Sequence, residues 1–193
     1  MLIRRPATRK PLLAWAGLWL LLQPACLYAT APPLPRDWPL VGEAQLSVLW
    51  WDIYQARLFR PEHGHRNHSP WEGQPLLLEL TYQRDISADQ LLRETESQLQ
   101  PFSSGEQRRQ WLPQLARLWP DVHKGDRLSL FTDAGGAAWF YANGDLLGSI
   151  SDPAFAPAFL SIWLAPESQF PELARALRGE HSSAHQPHQR PDT

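Results

Sequence analysis

VGEAQLSVLWWDIYQARLF, Val41 to Phe59, is the stretch whose reading decides the fold. Ala44, Leu46, Val48 and Trp50 alternate with Glu43, Gln45 and Ser47, the period of two that marks a half-buried strand. The even-numbered face continues through Asp52, Tyr54, Ala56 and Leu58. The run exceeds the usual strand length of about 3–10 residues, so a bend or turn is expected near Trp51-Asp52.

Downstream, Pro61 to Gln74 (PEHGHRNHSPWEGQ) has the Gly, Pro, Asn and Ser content of a loop. Leu76 to Ile86 (LLLELTYQRDI) reads as the next strand. Its even face carries Leu76, Leu78, Leu80, Tyr82, Arg84 and Ile86, and its odd face Glu79, Thr81, Gln83 and Asp85. Two helices follow, each announced by a capping box, Ser87 with Gln90 and Ser104 with Gln107. Leu91, Leu92, Thr95 and Leu99 face inward from the first. Trp111, Leu112, Leu115 and Leu118 do so from the second, which stops at Pro120. A meander comes next: strands Arg127 to Thr132, Ala137 to Ala142 and Leu146 to Ile150, with Asn143-Gly144 as a hairpin turn. Asp152-Pro153 has the form of an N-cap followed by proline at the first helical position. It opens an apolar helix (PAFAPAFLSIWL) in which Pro157 predicts a kink or a late start. Pro171 to Arg178 is a last short helix ending at Gly179, and the polar tail 180–193 is expected to be disordered.

Upstream, Pro32 to Leu40 is a proline-rich spacer, and residues 1–31 have the three parts of a secretory signal peptide. Arg4, Arg5, Arg9 and Lys10 form a basic start, Pro11 to Leu22 is apolar, and Ala29-Thr30-Ala31 offers a small-x-small cleavage site. The apolar run is shorter than the roughly 20 residues of a spanning helix. The expectation is cleavage near Ala31, a periplasmic or secreted product, and no membrane span in it. Cys26, the single cysteine, lacks the leucine three residues earlier that a lipidation site carries. Cleavage removes it, and with it disulfides and thiol chemistry. Cleavage also removes four basic residues, taking the balance from 18 basic against 20 acidic to 14 against 20. No basic run remains for nucleic acid. What is left, 41–179, is long enough for one core.

In order, Val41 to Phe59, Leu78 to Ser87 (LELTYQRDIS), Leu118 to Leu130 (LWPDVHKGDRLSL) and Phe140 to Leu164 (FYANGDLLGSISDPAFAPAFLSIWL) resemble the chalcone isomerase-like family, in its bacterial exported branch. Ala165 departs from the glycine such sequences often place after the Trp-Leu pair. The resemblance implies an α+β fold, a large antiparallel sheet with helices layered on one face and a ligand cleft between them. Catalytic members use an Arg from the first long strand and a Thr and Tyr at the cleft. On this chain the Thr position falls at Leu49, which has no hydroxyl, and Gly42-Glu43-Ala44-Gln45 supplies no Arg. Other branches bind fatty acids without catalysis.

The residues themselves single out Arg84, at the end of an apolar strand face where a guanidinium is costly unless paired. It is an anchor for an anionic ligand, presenting a bidentate fork, a structural partner of Asp52 or Asp85, or a side chain simply exposed at the strand end. Tyr82 and Tyr54 would add hydroxyl donors beside it or serve as packing residues of half-buried strands, and Trp50, with Trp51, Trp139 and Trp163, would line an aromatic pocket or pack in the core. His63, His65 and His68, like His181, His185 and His188, read as solvated side chains, so no metal or cofactor is expected. No catalytic residue, phosphate loop or nucleophile triad is identified. The expected function is binding of a small apolar anion, a fatty acid or phenolic compound. The alternatives are an isomerase or intramolecular lyase, and an envelope interaction module with a self-filled cleft. Protein partners are not specified by the sequence.

Overall fold

The computed structural model describes residues 32–62, 71 and 73–180. The expected signal peptide, the two histidine groups and the tail from residue 181 lie outside the described residues.

Six strands, β1 (Leu40–Val48), β2 (Trp51–Phe59), β3 (Leu76–Tyr82), β4 (Arg127–Thr132), β5 (Ala138–Ala142) and β6 (Asp145–Ile150), form one antiparallel sheet in chain order. Helices α1 (Ala88–Leu99) and α2 (Gly105–Leu118) interrupt it between β3 and β4, and α3 (Phe155–Leu164) and α4 (Pro171–Leu177) follow β6. The alternation in the sequence sorts the two faces. Tyr54, Ala56, Leu58, Leu78, Leu80, Tyr82, Leu128, Leu130 and Phe140 point one way and share one core with Leu91, Leu99, Trp111, Leu115, Phe159, Trp163 and Leu177 of the four helices. All four described helices therefore lie on the even face, the one-sided layering that the resemblance implies.

The opposite face is polar at one end, where Glu79 pairs with Arg127 at 3.3 Å and Arg57 stands near Glu43. At the other end Leu77, Phe131 and Tyr141 are buried with Leu34 and Trp38 over them. The proline-rich segment before β1 is thus packed on the sheet: the Trp38 and Phe131 ring centroids are 5.7 Å apart.

Both capping boxes form as read, with Gln90 and Gln107 backbone N–H groups donating to Ser87 and Ser104. Three local readings need correction. The first turn lies at Leu49-Trp50, where Val48 pairs with Trp51, two residues before the expected bend. The apolar alternation runs through this turn without a Gly or Asn to mark it. Asp152 is not the cap of α3, which starts at Phe155. Its carboxylate instead accepts from the indole N–H of Trp111 at 2.7 Å and from the Ala154 backbone at 3.0 Å. Pro157 consequently sits in the first turn of α3, where an N–H would have had no helical partner, and the late start replaces a kink. Finally, β3 stops at Tyr82, because the chain turns there to exchange backbone bonds with Gly125 and Asp126. Arg84 therefore leaves the strand.

Gly42 fixes how α4 meets the sheet. A Cβ there would collide with the backbone carbonyls of Ala176 and Leu177, so α4 lies directly on β1 at this point.

Candidate cleft between the sheet and the first helix

Between the ends of β1–β3 and the helices α1 and α3 lies a cleft of about 550 Å³, within the roughly 300–1,000 Å³ usual for small-molecule sites. Leu46, Ile53, Leu80, Leu91, Ile162 and Trp163 form its apolar walls. A smaller space of about 50 Å³ lies deeper, lined by Leu78, Trp119, Leu130, Phe140 and Phe159. Leu80, Tyr82, Leu91, Thr95 and Trp163 border both. The two spaces are therefore neighbours across this ring of side chains.

Tyr54 and Tyr82 face each other across β2 and β3, in register, with ring centroids 5.9 Å apart and edges turned to faces. The Tyr54 hydroxyl accepts from the indole N–H of Trp163 at 2.9 Å, which leaves its own proton to donate. The Tyr82 hydroxyl makes no hydrogen bond to a described residue. Burial pushes the Tyr54 phenol well above its ordinary value, with the Trp163 bond pulling it partly back. Burial raises Tyr82 as well, and the neighbouring Tyr54 raises it further. Both hydroxyls are neutral donors throughout the physiological range, suited to a bound carboxylate or phenolate.

Arg84 stands at the mouth, lining the cleft from the bend after β3, with its guanidinium 5.3 Å from the Trp51 ring centroid. It is solvent-exposed rather than buried at the end of the apolar face. The acids that might have held it are engaged elsewhere: Asp52 accepts from the Ser47 hydroxyl at 2.6 Å, and Asp85 from the Lys124 backbone at 2.9 Å. No described carboxylate forms an ion pair with it. The structure thus brings Arg84, Tyr82 and Tyr54 to one cleft.

It does not bring Trp50 there. Trp50 stands at the apex of the β1–β2 hairpin, outside the cleft lining and exposed. The other tryptophans part company too. Trp163 is a buried cleft wall, whereas Trp139 lies on the reverse face and donates to Asp133 at 3.1 Å. Leu49, at the family's Thr position, is also on the apex.

Sequence reasoning missed Arg93, Gln90 and Gln98 of α1, which border the cleft beside Glu94. Helical spacing from the buried Leu91 and Thr95 puts these polar residues along the edge of the inward stripe. That spacing carries no information about which strand ends they approach. No cluster of three metal-ligating side chains occurs among the described residues, and no described helix is long and apolar enough to cross a membrane.

A family model described as chalcone isomerase-like matches residues 37–179. An uncharacterized protein of Haemophilus influenzae is 28% identical over 155 residues, covering 77% of this chain and 72% of that protein. Among solved structures, the crystal structure of an Arabidopsis thaliana fatty-acid binding protein superposes with a TM-score of 0.60 at 12% identity. That match covers 78% of this chain and 91% of the plant chain. At that identity the likeness speaks to the fold.

Proposed function

The chain belongs to the chalcone isomerase-like family, and from that premise we propose that it is an exported, non-catalytic binder of a small apolar anion, a fatty acid or phenolic compound. One observation carries the reading. The cleft is open, its walls are apolar, and its polar groups converge: Arg84 at the mouth without an acidic partner, Tyr54 and Tyr82 with protons to donate. A self-filled interaction module would have tryptophan in that space, whereas Trp50 and Trp51 are turned outward. The Arabidopsis structural neighbour is a fatty-acid binding protein, which supports the ligand class. The basic start and short apolar run of residues 1–22 support export.

The test is a paired titration with a long-chain fatty acid and its methyl ester. A charge-assisted hydrogen bond contributes about 1.5–3 kcal/mol, so Arg84→Gln should weaken fatty-acid binding by about tenfold to a hundredfold. Ester binding should change little. Equal losses for both probes, or no uptake of acyl probes by the wild-type chain, overturn the proposal.

A further inference from the structure

We propose that the apex of the β1–β2 hairpin inserts into the interfacial layer of a lipid bilayer and holds the cleft mouth against it. Val48, Leu49, Trp50 and Trp51 are consecutive, large, apolar and exposed at 44%, 80%, 85% and 58%. The other exposed large apolar side chains of the described residues, Leu40 and Leu146, are isolated.

The apex is not what turn chemistry alone selects. The β5–β6 hairpin of the same molecule turns on Asn143-Gly144, both at positive φ, the residue types that tolerate it. The β1–β2 hairpin instead puts a leucine at φ 57, a conformation costly for a side chain with a Cβ. Strain of this kind persists where the side chain has a use. A two-residue turn suits entry into lipid, because β1 and β2 satisfy each other's backbone groups up to Val48 and Trp51. Tryptophan favours the bilayer interface. Asp52, held by Ser47, and Arg84, stacked on Trp51, set a charged line just behind the apex that limits the depth.

A lipid surface fits better than a protein partner. The patch is a convex tip of four residues, against the roughly 20–30 residues a side of a stable protein interface. The formal net charge, −2 for the whole chain and −6 after the expected cleavage (14 basic against 20 acidic), makes burial rather than attraction to anionic lipid the driving contribution. Val48 and Arg84 also line the cleft mouth, so an acyl ligand could pass from bilayer to cleft without crossing water. That route rests on the proposed function; the insertion does not.

The experiment places an environment-sensitive nitrobenzoxadiazole label at the apex of the full chain, as Trp50→Cys in a Cys26→Ser background. A control label goes beside the β5–β6 turn, at the exposed first residue of β6, as Asp145→Cys. Because residues 11–22 are themselves apolar, the readout is the label and not bulk association. On vesicles of phosphatidylethanolamine and phosphatidylglycerol, the apex label should shift to the blue and be quenched by lipids brominated near the headgroup, while the control label stays aqueous. In unlabelled protein, Leu49→Asn combined with Trp50→Gly keeps a favourable turn and should slow transfer of a fluorescent fatty acid from vesicles by about tenfold or more. An apex label that stays aqueous on vesicle-bound protein overturns the proposal. So does one that becomes buried only as protein concentration rises without lipid. Apex insertion with an empty cleft overturns the ligand reading and leaves this one standing.

Discussion

Raising the pH above 10 should unfold this protein by a calculable amount, through the two phenols of the cleft. Burial holds Tyr54 and Tyr82 protonated in the native state well above the pH at which the unfolded chain releases those protons. The native state then binds two protons more than the unfolded state, so stability is full below about pH 10 and falls as the pH rises through that value. Each retained proton costs about 1.4 kcal/mol per pH unit, so the pair costs about 2.7. Urea denaturation from about pH 9 to about pH 11 measures the slope. Tyr54→Phe and Tyr82→Phe should each remove half of the pair's share. Tyr141, whose phenol burial also raises, is common to all three proteins and cancels in the comparison. The two variants should differ at neutral pH. Tyr54→Phe strands the buried Trp163 N–H and costs about 1–3 kcal/mol. Tyr82→Phe loses a hydroxyl with no protein partner and should cost less. A slope that neither substitution changes would refute the reasoning, as would equal losses at neutral pH.

Two further substitutions test the packing that shapes the cleft. Gly42→Ala forces α4 away from β1, because the added methyl meets two backbone carbonyls. Overpacking of this kind costs about 1–3 kcal/mol, read as a lower denaturation midpoint. Thr95→Leu enlarges a residue on the ring between cleft and inner space. Each methylene it excludes costs about 0.8 kcal/mol, about fourfold in affinity. Titration with a series of fatty acids should show the preferred chain length moving down; an unchanged preference counts against the inner space as part of the site.

What the sequence reveals here follows the range of the forces involved. β4 spans the residues its alternation predicts, and the Asn143-Gly144 turn and both capping boxes are local chemistry that no distant contact overrides. The Leu49-Trp50 turn is hidden in the sequence because its residues continue the apolar pattern instead of breaking it. Asp152 looked like a cap, but a distant tryptophan competes for its carboxylate. In the cleft, Tyr54 and Tyr82 are legible as one face of neighbouring strands, whereas Arg84 reaches the mouth from the bend after β3 and not from the strand face that period two assigns it. The hydrogen bond from Trp163 to Tyr54 joins residues 109 apart in the chain, and no pattern in either neighbourhood points to the other. Trp50 shows the converse: period two gives its face, but a turn apex has no inside.

The helical excursion between β3 and β4 bears on how the molecule assembles. β1–β2–β3 and β4–β5–β6 are each a local zigzag that can form by short-range closure, while joining them means closing the loop of residues 83–126. Loop entropy is to be overcome before that pairing yields anything, so the β3–β4 seam is the expected bottleneck of folding. Conservative truncations at the seam, Leu78→Ala and Leu130→Ala, should slow folding, whereas Ile150→Val at the margin should chiefly speed unfolding. Stopped-flow rates that showed the reverse would count against this order. Since α1 rides on the excursion, the cleft it walls depends on this closure.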